Sequence, residues 1–182
     1  MFNKRFMLLI NIQNFCTFFH HGVHIMKKGL IFILFFVLPL IGGKISGLIS
    51  GDISGTYITL NQPPFSPPGY VFAIVWTILY LLMGLSSWLV YTKARARKKD
   101  ASYYLRPYGI QLAINYAWSP IFFGLGMFSF GSWLSIALLA CAIWMSIRFS
   151  DISKLAATLQ IPYLLWLAFA SYLSFSTMYL NM

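Results

Sequence analysis

Residues 68–92, "PGYVFAIVWTILYLLMGLSSWLVYT", run without a charged side chain and are followed at once by "KARARKK" (93–99). The hydrocarbon core of a bilayer needs about 20 apolar residues of helix to cross it. A basic cluster at one end of such a run marks the cytoplasmic side. The stretch therefore reads as a membrane-spanning helix that enters from outside and ends at the inner surface.

The whole chain repeats that pattern. Its 182 residues are 59% hydrophobic, 19% aromatic and 9% charged, with mean hydropathy +0.75, against about 25% charged residues in soluble domains. The formal net charge is +10, but the basic residues sit in short runs between apolar segments. They act as topology signals and not as a nucleic-acid surface. Spans are expected at 29–50, 68–92, 105–127, 131–150 and 155–179. If the chain alternates across the membrane, Lys27, Lys28, "KARARKK", Arg106, Arg148 and Lys154 all fall on one side, which the positive-inside rule makes cytoplasmic. Lys44 is the exception. The expected fold is an all-α integral membrane protein, a five-transmembrane-helix bundle in the inner membrane, with a cytoplasmic N-terminus and an external C-terminus.

Residues 1–28 read as an N-terminal extension to the bundle at 29–182. "MFNKRFMLLINIQNFCTFFHHGVHI" is broken by Asn11, Gln13, Asn14 and three histidines, a poor spanning segment, and Met26 before "KKGLIFILFFVLPL" resembles a natural start. The run from Lys27 through Pro39 to Ser50 lacks a small-x-small cleavage pattern, so it is read as a retained first helix and not a secretory signal.

Ionisable chemistry is scarce. There is no Glu, the three carboxylates Asp52, Asp100 and Asp151 fall at expected helix ends or loops, and His20, His21 and His24 all lie in the extension. The membrane core has no evident general acid or base, and no metal site or cofactor is expected there. Cys16 and Cys141 do not suggest a disulfide; Cys141 reads as a small packing residue.

Packing signals are stronger. Gly43, Gly47, Gly51 and Gly55 recur every four residues in "GGKISGLISGDISG", a ridge on which a neighbouring backbone could lie close, within the chain in preference to a dimer face. Pro39, Pro120 and Pro162 each deprive the carbonyl four residues earlier, at Phe35, Tyr116 and Thr158, of its hydrogen bond and should bend their helices. Pro67 and Pro68 are expected in the first turn of the second helix, with Ser66 as its N-cap. Trp88, Trp133 and Tyr179, near helix ends, read as interfacial anchors.

Three stripes share one property. Gln111, Asn115, Trp118 and Phe122 follow i, i+4, i+7, i+11 spacing; Tyr163, Trp166, Ala170 and Ser174 nearly do; Trp76, Tyr80 and Met83 align on the second helix. Amides are costly against lipid, so Gln111 and Asn115 should face the interior. An aromatic cavity within the bundle is expected, roofed by the proline-rich loop 51–67.

Three blocks, "QPPFSPPGYVFAIVWTILYLLMG" (62–84), "QLAINYAWSPIFFG" (111–124) and "PYLLWLAFASYLS" (162–174), together resemble the TspO/MBR family, the tryptophan-rich sensory proteins and translocator proteins, over roughly residues 29–181. The resemblance implies a five-helix bundle that commonly forms homodimers, with a pocket for porphyrins, sterols and synthetic ligands. It implies pocket roles for Trp76, Tyr80, Asn115, Trp118, Trp166 and Ala170, and lid roles for Tyr57 and Phe65. It also implies that some bacterial members promote light- and oxygen-dependent breakdown of protoporphyrin IX, which would make Trp76 and Trp166 the oxidisable, catalytic indoles. Gln111 and Phe122 join the expected ligand-binding set through their stripe. The chain departs from the family in carrying Thr56 and Gln62, where a Trp and a basic residue are frequent. Leu173-Ser174 is followed by no Lys or Arg, which weakens a cholesterol motif. The expected partners are a porphyrin or other tetrapyrrole, membrane lipid and a second copy of the chain, with no nucleic acid. The functions implied are a receptor or sensor, a porphyrin-degrading enzyme, or a carrier of tetrapyrroles or sterols.

Overall fold

Short polar side chains and prolines set the helix ends. The computed structural model describes residues 29–182. By packing the chain divides into Met1–Leu34, of which residues 29–34 begin the first helix, and Phe35–Met182, the bundle. The N-terminal extension, with its histidine trio, Cys16 and the start at Met26, lies outside the described residues. Helix α1 covers Gly29–Ile49. It is followed by α2 (Ile53–Thr59), α3 (Gly69–Ala96), α4 (Ala101–Ser119), a π-helical turn at Pro120–Gly124, α5 (Phe128–Ser150), α6 (Lys154–Thr158) and α7 (Ile161–Leu180). Asp52 caps α2 by accepting from the Gly55 N–H at 2.9 Å, Asp100 caps α4 through Ser102 at 2.9 Å, and Ser153 caps α6 through Ala156 at 3.3 Å. Two of the three carboxylates therefore satisfy orphan helix donors. Gly51, with φ +75°, lies in the left-handed region just past the end of α1.

Among the described residues four segments are long and apolar enough to cross a membrane: Gly29–Ile49, Gly69–Ala96, Phe128–Ser150 and Lys154–Leu180. The third span expected from sequence is represented by α4, which is not among them because Arg106, Gln111 and Asn115 dilute its apolar character. Those amides are buried against neighbouring helices, with Gln111 0% and Asn115 6% exposed, which lets a more polar helix sit inside the bundle. Large apolar side chains cover the outside of the bundle, Ile41, Ile45 and Leu48 on α1 among them. The described residues form an all-helical integral membrane protein.

Several local expectations change. Pro162 does not bend a continuous fifth helix: α6 stops at Thr158, and Pro162 opens α7 in its first turn, where the missing N–H costs little. Ser66 does not cap α3; its hydroxyl donates to the Pro63 carbonyl at 2.8 Å, and α3 begins at Gly69, after both prolines. Pro107 is the interior proline of α4, since that helix begins at Ala101, four residues before the expected start. At Pro120 the backbone widens into the π turn, with Leu125 N–H bonded to the Pro120 carbonyl at 2.9 Å.

The glycine ridge is also redistributed. A side chain at Gly43 would strike the Tyr80 ring and one at Gly42 the Tyr116 ring, whereas one at Gly47 meets nothing within 4 Å. Gly51 ends the ridge and Gly55 belongs to α2. The tightest backbone approach is at Gly84 of α3, where a Cβ would lie 2.6 Å from the Phe35 carbonyl oxygen of α1. Hydroxyls fasten the helices: Ser46 to the Tyr116 carbonyl at 2.6 Å, Ser86 to the Ala156 carbonyl at 2.7 Å, and Tyr116 to the Leu38 carbonyl at 2.9 Å. Trp133 and Tyr179 are exposed as expected, but Trp88 is half-buried, with its ring 5.9 Å from that of Tyr91.

Candidate functional site

The interior ends of the stripes meet in a closed hydrogen-bond network. Tyr80 of α3 donates to Asn115 Oδ1 of α4 at 2.7 Å, and Tyr163 of α7 donates to Gln111 Oε1 at 2.6 Å. Asn115 Nδ2 reaches the Tyr163 hydroxyl at 3.4 Å and Gln111 Nε2 the Met83 sulfur at 3.4 Å. Spacing brings this about: Gln111 and Asn115 are one turn apart, and each faces a tyrosine on a different helix. The Trp76 ring lies against this layer, 5.5 Å from Tyr80 and 6.3 Å from Tyr163.

Towards the loop between α1 and α3 the bundle opens. A narrow, partly open cleft is walled by Phe72 at the start of α3, Trp118 of α4, Phe122 of the π turn and Ala170 of α7, with Tyr57 of α2 and Gln62 at the loop. Trp118 and Phe122 are stacked, 5.0 Å apart at 19°, and Trp118 Nε1 donates to the Gly131 carbonyl at 2.9 Å. Gly131 has to be glycine for this geometry, since a Cβ there would lie 3.1 Å from Phe122 Cβ and closer still to its ring.

The loop is held as a lid. Asn61 N–H donates to Asn181 Oδ1 at 2.9 Å, and Asn181 Nδ2 donates back to the Asn61 carbonyl at 3.1 Å. Tyr172 reaches the Pro64 carbonyl at 3.2 Å, and the Tyr57 hydroxyl donates to the Pro67 carbonyl at 2.8 Å. Pro63 is buried beneath. Ser66 N–H closes a turn to the Pro63 carbonyl at 3.3 Å, with Phe65 at φ +66° in its third position, the geometry of a type II turn with proline second. Prolines thus fix the strap while side chains from both its ends and from α7 fasten it. Burial raises the Tyr57 hydroxyl above its ordinary pKa of 10, with Ser66 pulling the other way, so Tyr57 is neutral at physiological pH.

Of the residues singled out from sequence, Tyr57, Trp118, Phe122 and Ala170 line this cleft. Tyr80, Gln111 and Asn115 belong to the buried network. Trp76 packs on that network, and Trp166 packs edge-on against Phe72 at 5.7 Å with its buried Nε1 lacking a partner. Phe65 is 86% exposed and is not part of the cleft wall. Sequence reasoning missed Gln62, Phe72 and Thr177 as wall residues. Phe72 continues the Trp76–Tyr80 stripe by one turn and was legible on that ground, as was Thr177, three residues beyond Ser174.

These features define a class: an all-helical membrane protein with an aromatic cleft roofed by a fastened loop. The TspO/MBR family matches residues 35–180. The chain is 39% identical over 121 residues to the translocator protein of Ovis aries, covering 65% of this chain and 70% of that protein. It is 35% identical over 125 residues to the tryptophan-rich protein TspO of Chlorobaculum tepidum, covering 69% and 78%. It is 34% identical over 131 residues to the tryptophan-rich sensory protein of Cereibacter sphaeroides, covering 69% and 76%. The chain belongs to the TspO/MBR family.

Proposed function

We propose that the protein is a membrane receptor that binds planar apolar ligands, porphyrins such as protoporphyrin IX foremost, in the cleft beneath the lid. The observation that carries this reading is the stacked Trp118–Phe122 wall facing Phe72 and Ala170 under a hydrogen-bonded strap. Flat aromatic walls with few polar groups suit a flat apolar guest. In this reading α4 with its π turn is the fifth spanning segment, the basic helix ends are cytoplasmic, the C-terminus is external and two copies pair in the membrane. A sensory role is in keeping with the name of the Cereibacter sphaeroides relative.

The bound pigment would also be open to light- and oxygen-dependent breakdown, with Trp76 and Trp166 as the nearby oxidisable indoles. The purified protein with protoporphyrin IX, kept dark or illuminated in air and followed by absorption, tests both parts. A saturable spectral shift in the dark is expected, with accelerated loss of the pigment bands under light. Replacing both Trp76 and Trp166 by Phe should keep the shift and slow the loss. Accelerated loss unchanged in that variant removes the enzymatic part, and absence of a dark shift removes the receptor.

A further inference from the structure

The polar groups on the cleft walls face a guest in an unusual way. Tyr57 donates to Pro67, Ser66 to Pro63 and Ser174 to Ala170, each to a backbone carbonyl at 2.8 Å, and Trp118 donates to Gly131 at 2.9 Å. Gln62 Nε2 donates to the Tyr57 carbonyl. The Tyr57, Ser66, Ser174 and Trp118 donors and one Gln62 N–H are thus committed to the protein's own backbone, which leaves the hydroxyl lone pairs and Gln62 Oε1 for a ligand, beside two neutral donors, the second Gln62 N–H and the Thr177 hydroxyl.

Among the described residues no cation offsets this, since no Lys, Arg or His lies on the cleft walls. On α3, Lys93 lies 21 residues beyond Phe72, roughly 30 Å at 1.5 Å per residue. That distance is far beyond the reach of a hydrogen bond or ion pair with a guest in the cleft. Arg95, Arg97, Lys98 and Lys99 follow Lys93, and Arg148 and Lys154 lie at the corresponding ends of α5 and α6. Lys44 is exposed on α1. Behind the wall the neutral indole N–H of Trp166, packed against Phe72, also lacks a partner.

A carboxylate drawn into such a cleft loses its water and meets mostly oxygen lone pairs, with no cation and only isolated neutral donors to replace the water. A neutral ring with N–H or O–H groups at its edge finds acceptors already in place. We infer, on the reading of the cleft as a ligand site, that it selects neutral planar guests over the carboxylate forms of the same ring, and that uncharged Gln62 at the mouth sets this preference.

The full chain in nanodiscs of zwitterionic lipid, titrated in the dark with protoporphyrin IX and with its dimethyl ester, tests this through quenching of tryptophan fluorescence. Protein-free nanodiscs correct for partition into lipid. The ester is expected to bind roughly tenfold tighter than the diacid, and Gln62→Arg or Gln62→Lys, each adding one cation at the mouth, to narrow that ratio by roughly tenfold through tighter binding of the diacid. Equal binding of the two forms, or a ratio that neither substitution moves, overturns the inference while leaving the receptor standing. If neither form binds, the receptor reading itself falls and the inference with it.

Discussion

Leucine in place of Gly84 is expected to break the bundle open at the crossing of α1 and α3. A Cβ there would lie 2.6 Å from the Phe35 carbonyl oxygen and 3.2 Å from the Phe36 Cα. Both are backbone atoms and cannot rotate aside. The helices would have to separate, taking with them the Phe35 ring, packed 5.7 Å from Tyr91 and 6.3 Å from both Trp88 and Tyr108. Overpacking a core costs about 1–3 kcal/mol even where side chains can yield, so a loss of at least about 3 kcal/mol is expected here. For a chain of this size that lowers the unfolding midpoint by roughly 10 °C, measurable by heating the detergent-solubilised protein before size-exclusion chromatography. Gly47→Leu is the matched control. Its Cβ would meet nothing within 4 Å, so the midpoint should hardly move.

Asn115→Leu carries the second large effect. Asn115 accepts from Tyr80 at 2.7 Å and lies 3.4 Å from the hydroxyl of Tyr163, a residue with no exposed surface. Leucine leaves the Tyr80 hydroxyl buried without an acceptor, at a cost of about 1–3 kcal/mol. Hydrogen bonds between membrane helices average nearer 0.6 kcal/mol, so a cost in the upper range would show that the orphaned hydroxyl, more than the lost bond, dominates. Tyr80→Phe in the Asn115→Leu background removes that orphan and should recover part of the loss. Simple additivity of the two substitutions would deny the coupling.

How far the sequence speaks depends on whether a feature is periodic. The long apolar runs and the Gln111–Asn115–Trp118–Phe122 stripe are periodic, and they foretold the helices and the inward amides. Gly84 and Gly47 look alike as small residues, yet only one lies beneath a backbone, because the crossing point depends on tertiary packing that no local pattern encodes. Proline was ambiguous for a related reason. Pro162 could bend a helix or begin one, and the choice turned on the break at Leu159 and Gln160. The lid fastening was not legible at all, since Asn61 and Asn181 are 120 residues apart and each is an ordinary loop or helix-end asparagine alone. The separation of the buried amide network from the cleft wall was equally hidden, because one stripe runs through both.

Ala170 offers the most direct test of whether the cleft is where a planar guest sits. It is one of the smallest side chains on the wall, and leucine there fills the space between α7 and the Trp118–Phe122 stack. The dissociation constant for protoporphyrin IX dimethyl ester, measured in the dark on Ala170→Leu, should rise by roughly tenfold or more, while the thermal midpoint remains near that of the parent. An unchanged dissociation constant in a folded Ala170→Leu protein would contradict the account, because the ligand would then be bound elsewhere.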